Sequence, residues 1–127
     1  MISFDDLWDD ICTYKLKSKY KFHELKKGIQ YANGCGAKGG VKFPSTMGLV
    51  SIVAACIIHD IEWELAKCFQ DLIDANERFD NNLKRITDNE SNVVTRWIRR
   101  QMISYYVSGV ELVGTEAYAK ERGFVSE

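Results

Sequence analysis

Proline is nearly absent from these 127 residues, with Pro44 the single example, and no long apolar run is present. The longest, Gly48 to Ile58, is too short to span a bilayer and finishes on charged residues. Charge of one sign is lacking too: a net charge of -1 predicts neither a nucleic-acid binder nor a polyanion mimic. The first ten residues have no basic n-region and carry Asp5, Asp6, Asp9 and Asp10 instead, so the expectation is a mature start with no targeting or transmembrane segment. Four cysteines, Cys12, Cys35, Cys56 and Cys68, are too few for a disulfide scaffold and form no CxxC zinc pattern. No internal repeat is visible. What is abundant is apolar side chain, 46% of the residues, enough for one core and a single domain over 1–127.

The stretch from Gly48 to Trp63 organises that domain. From Leu49 to Ile58 nearly every residue is apolar, which predicts a helix covered by protein on most sides. His59 and Asp60 continue the same pattern, with Trp63 one turn after the histidine. An ionisable pair in such a helix must be hydrogen-bonded, paired or metal-bound, because an uncompensated buried charge costs several kcal/mol.

Around this stretch, Ser3 and Asp6 read as a helix start, followed by Phe4, Leu7, Trp8 and Ile11 at amphipathic spacing. From Tyr14 to Phe22 apolar and lysine residues alternate, which predicts a strand or an extended arm. Its lysines 15, 17, 19 and 21 either guard a sheet edge or form, with the aromatics, a basic surface for an anionic membrane. His23 carries no assigned role. Five glycines between Gly28 and Gly40 make either a plain connection or a loop able to turn several carbonyls toward one hard cation such as calcium. No Gly-Lys-Ser/Thr follows, so the loop is not a P-loop. After a polar break at 88–92, capped by Ser91 or Asn92, a last long helix runs through Val94, Trp97, Ile98, Met102, Tyr105 and Tyr106. Gly109 and Gly114 weaken it, and Gly123 ends a final short helical segment.

Cys35-Gly36, Gly39-Gly40, Pro44 and Cys56-Ile57-Ile58-His59-Asp60 with Trp63 resemble, in order, the calcium loop and active-site helix of phospholipase A2. The segment Ala75-Asn76-Glu77-Arg78-Phe79 is similar to that family's second long helix, whose Ala-Asp-x-x-Phe supplies the group that orients the histidine. Arg99 to Tyr106 with Gly109 and Gly114 resembles the last helix of small bacterial and phage members. The resemblance covers roughly 31–118 and leaves 1–30, the first helix and basic arm, outside it.

The resemblance implies a mainly α, phospholipase A2-like fold: two long antiparallel helices, a glycine-rich calcium loop and a C-terminal helix. It implies His59 as general base in calcium-dependent hydrolysis of a phospholipid ester, with Asn76 and Trp63 completing the catalytic set. Calcium would be held by Asp60 and by carbonyls of Gly34, Gly36, Lys38 and Gly39. The partner implied is a phospholipid or membrane surface, the setting cytoplasmic or virion-associated. The resemblance also pairs Cys35 with Cys56; lacking a signal peptide, the chain is expected to keep them reduced in the cell, with Cys12 and Cys68 free.

Three positions depart from the family pattern. The loop is one residue longer between its glycine groups. Trp63 stands where tyrosine is usual, a donor-only indole for a hydroxyl. Asn76 stands where aspartate is usual and cannot offset an imidazolium; in a serine-protease triad the same exchange costs about 10⁴ in rate. Asp74 and Asp80 face other directions on a helix. These departures leave open a catalytically weakened binding or virion-associated structural module. A His-Asp metal phosphohydrolase would need another histidine, and only His23 exists.

Periodicity alone draws one helix from Leu49 to Ile86, which would separate His59 from Asn76 by about 26 Å. A compact domain cannot easily cover a helix of that length. The expectation is therefore a reversal near Lys67 or Cys68, giving antiparallel helices over 49–66 and 70–87 at a spacing of roughly 8–10 Å, with His59 opposite Asn76. Gln70 or Asp71 would start the second helix.

Overall fold

The computed structural model describes residues 3–31, 46–47, 50–88, 93–109 and 114–124. The chain is mainly α. Its helices are α1 (Phe4–Tyr14), α2 (Phe22–Gly28), α3 (Val53–Glu64), α4 (Phe69–Asp88), α5 (Val93–Gly109) and α6 (Glu116–Glu121). A 3₁₀ turn (Ile29–Tyr31) follows α2, and two-residue strands β1 (Thr46–Met47) and β2 (Val50–Ser51) pair antiparallel, Thr46 opposite Ser51. Among the described residues no helix is long and apolar enough to cross a membrane.

The core is built on the hairpin of α3 and α4. Every residue of α3 from Ala54 to Trp63 is buried, as an apolar run demands. In α4 the buried positions are Leu72, Ala75, Asn76, Phe79, Asn82, Leu83, Ile86 and Thr87, a stripe at helical spacing that faces α3. The chain reverses between Glu64 and Phe69, as expected, although α3 begins at Val53 instead of Leu49 because Val50 and Ser51 pair as β2.

No glycine or proline makes this reversal. The Asp71 carboxylate accepts the Lys67 N–H at 2.9 Å, so the start of α4 closes on its own side chain, as a residue in the first turn can. Across the turn, the Arg122 guanidinium donates to the carbonyls of Glu64 and Ala66, groups that a helix end leaves without internal partners.

The alternating segment forms no strand: Tyr14 closes α1, Phe22 opens α2, and an arm over 15–21 joins them. Ser3 Oγ caps α1 by accepting the Asp6 N–H at 3.2 Å. At the other end Lys15 takes the left-handed conformation (φ 55), while the N–H groups of Lys15 and Leu16 return to the carbonyls of Cys12 and Ile11. This is a Schellman motif with its usual apolar contact supplied by Leu16 and Ile11, both buried. Beyond it, Asn82 of α4 takes the place of a partner strand: its Oδ1 accepts the Lys17 N–H at 2.7 Å and its Nδ2 donates to the Lys17 carbonyl at 2.8 Å. Leu16 is therefore turned in while Lys15, Lys17, Lys19 and Lys21 face out. α2 then lays Gly28 on Ile61 of α3, where an added Cβ would come within 2.8 Å of Cγ2. Gly28 is thus a packing glycine of α2 and not part of a loop.

The last long helix forms where its periodicity places it, yet its first turn does not face the core. Val93, Val94 and Trp97 are exposed and Ile103 is buried, and α5 packs against α4. Arg100 pairs with Asp88. Gly123 (φ 76) ends α6 through a second Schellman motif, with Phe124 N–H on the Ala119 carbonyl at 2.8 Å. The expected cap at Ser91 or Asn92 lies outside the described residues.

Replacing Asn82 by alanine leaves the Lys17 N–H and C=O without their partner. The expected cost is about 1–3 kcal/mol, read as a lower urea midpoint. Amide exchange should accelerate over 16–20 while the α3 amides keep their protection.

Candidate functional site

The hairpin brings α3 and α4 together at the position expected from sequence. His59 Nε2 and Asn76 Oδ1 are 2.7 Å apart. Trp63, one turn after His59, donates its indole N–H to the same Oδ1 at 3.1 Å. The Asn76 Nδ2 donates to Thr115 Oγ1 at 2.8 Å. Asn76 is 1% exposed, so a buried amide sits among three polar partners from two other segments.

The surroundings of the imidazole are aromatic. Its ring lies 4.7 Å from Trp63 and 4.6 Å from Phe79, centroid to centroid. Burial by these rings disfavours the charged form and brings the His59 pKa down to about 4, opposed by the weaker effect of the Asn76 hydrogen bond. At neutral pH His59 is an uncharged base. Asp74 and Asp80, the nearby carboxylates of α4, are engaged with Gln70 and Lys84, so neither serves as the missing carboxylate. His23 is exposed on α2.

Asp60 is buried directly beside His59, at 7% exposure. The carbonyls assigned to Gly34, Gly36, Lys38 and Gly39, and with them the loop toward which Asp60 was expected to point, lie outside the described residues. Among the described residues no three His, Cys, Asp or Glu side chains gather as a metal cage. Cys56, one turn before Asp60, is disulfide-bonded and Cys12 and Cys68 are free. Cys35, its partner by resemblance, lies outside the described residues.

Several participants were not visible in the sequence pattern. Thr115 reaches Asn76 across 39 residues from a wide turn that it forms with Gly114 ahead of α6. Tyr118 stacks on Trp63 at 4.9 Å and donates its hydroxyl to the Trp63 carbonyl at 3.2 Å. Glu62, 3% exposed, holds Arg78 of α4 at 2.6 Å. Burial pushes the Glu62 carboxyl up, and Arg78 works in the opposite direction. A glutamate inside an apolar helix was the available signal for this pair; nothing local marked Thr115.

Because the folded pKa of His59 lies below its ordinary 6.5, stability is lost as pH falls from 6.5 toward 4: the unfolded chain takes up a proton that the folded site refuses. The shift corresponds to about 3 kcal/mol. Wild type should lose about that much more than His59→Gln across this range in urea titrations, the subtraction removing the contribution of Glu62. Comparison with protein-family models, curated proteins and solved structures finds no match for this chain.

Proposed function

We propose that the protein hydrolyses a phospholipid ester in a calcium-dependent reaction, with His59 as general base. The observation that carries this reading is the neutral imidazole held through Nε2 by Asn76 and placed beside a buried carboxylate. An amide oxygen only accepts, so Nε2 carries the ring proton and Nδ1 the lone pair. Nδ1 takes a proton from water as the water oxygen bonds to the ester carbonyl carbon. It returns the proton to the leaving alkoxide as the C–O bond breaks. Trp63 and Phe79 pack against the ring.

Asp60, buried beside His59, offers the hard oxygen donor that calcium takes. With carbonyls of Gly34, Gly36, Lys38 and Gly39 it would hold the ion, which when bound supplies positive charge to the developing oxyanion. The outward lysines 15, 17 and 21, next to the half-exposed Phe22, suit a membrane surface bearing the substrate.

Asn76 also favours a second reading, a phospholipase A2-like binding or virion-associated module with weakened catalysis. A neutral amide does not stabilise the imidazolium formed on proton abstraction, and a base with a pKa of about 4 has little drive to abstract one.

Fatty-acid release from phospholipid vesicles, with calcium or with a chelator, separates the readings. Hydrolysis is expected with calcium only, at least about 10²-fold reduced in His59→Ala with calcium binding intact. Asp60→Ala should lose calcium binding and hydrolysis together. Full esterase activity in both variants sinks the mechanism; calcium and vesicle binding without turnover in the wild type selects the second reading.

A further inference from the structure

The hydrogen bonds around Asn76 contain a choice that the amide alone does not make. A primary amide has an acceptor end and a donor end of almost the same shape, so rotation by half a turn would present Nδ2 to His59 in place of Oδ1. The imidazole would follow. It would accept at Nε2 and carry its proton on Nδ1.

Among the described residues two other groups touch this amide, and one of them can only donate. Thr115 Oγ1, 2.8 Å from Nδ2, accepts the amide N–H. Trp63 Nε1, 3.1 Å from Oδ1, is an indole N–H and only donates. Rotating the amide would set Nδ2 against that N–H, two donors face to face in a site where Asn76 is 1% and Trp63 4% exposed and water cannot intervene. Trp63 is itself held, by the Tyr118 ring at 4.9 Å and by the Tyr118 hydroxyl on its carbonyl.

We infer that Trp63 is a positioning residue that sets the tautomer of His59 through the orientation of the Asn76 amide. The tryptophan and the asparagine then form a compensating pair. A carboxylate at position 76 would accept from the imidazole whichever way it turned, and would need no lock. An asparagine does need one, and a tyrosine at position 63, able to donate or accept, would not supply it. The inference concerns the ring proton and holds whatever the substrate is, so its failure is separate from failure of the hydrolase reading.

Long-range ¹H–¹⁵N spectra of the His59 ring, taken above its titration range in each protein, test this directly. Wild type is expected to show a protonated Nε2 and an unprotonated Nδ1 in an excess of about ten to one or more. Trp63→Phe should admit the Nδ1–H tautomer, and Asn76→Asp added to it should restore Nε2–H, a rescue that a purely packing role for the indole does not explain. Trp63→Tyr keeps a large aromatic in place should the phenylalanine variant not fold, and should likewise admit the second tautomer. A wild-type ring protonated on Nδ1, which needs no variant to detect, overturns the inference. So does an unchanged tautomer in both folded Trp63 variants.

Discussion

A primary amide buried at 1% exposure, with its oxygen against two donors of α3 and its nitrogen on a hydroxyl ahead of α6, fixes how three segments of this chain meet. Each of these bonds contributes little net free energy when made. Left unmade in a dry interior, each polar group costs about 1–3 kcal/mol. The consequence is register. Sliding α4 by one residue along α3 would present Ala75 or Glu77 to the histidine and take the Asn76 oxygen away from the Trp63 indole N–H. The Glu62–Arg78 pair repeats the constraint nearby on the same two helices, through an ion pair that also cannot slide without leaving a buried charge.

That arrangement trades proton affinity for an uncharged amide beside the histidine. A carboxylate at position 76 would draw an imidazolium and raise its pKa, but it would bring a second buried charge into a site walled by Trp63, Phe79 and Tyr118. Asparagine keeps the hydrogen-bond geometry and gives up the charge. The resting base is then neutral over a wide pH range and weak.

The N-terminal segment is joined to the hairpin by polar bonds at a few points. Asn82 receives the Lys17 backbone, and Lys19 pairs with Asp71 at 3.3 Å, the residue that also accepts the Lys67 N–H in the turn. Leu16 and Leu25 bury the apolar side of the arm and of α2, while the lysines remain in water. A segment held this way orders its backbone without a neighbouring strand. Period-two alternation is therefore compatible with the absence of a sheet: one buried side suffices to select it, and a side chain of α4 meets the backbone groups that a ladder would have used.

The sequence by itself determined the helical class, the spacing that buries one stripe of α4, the cap at Ser3, the stop at Gly123 and the opposition of His59 and Asn76. These depend on periodicity, on local capping chemistry and on the limit that size sets on helix length. Only the tertiary structure decided the rest. The turn between α3 and α4 carries no glycine or proline, since Arg122, 58 residues beyond Glu64, satisfies its carbonyls. Thr115 completes the Asn76 bonds from 39 residues away, Asn82 holds an arm 65 residues earlier, and Trp97, apolar by type and helical by position, faces outward on the helix that buries Ile103. None of these has a local signature: a hydrogen bond between distant segments is specified by where packing brings the two backbones, and neither residue's neighbours in the chain record that meeting.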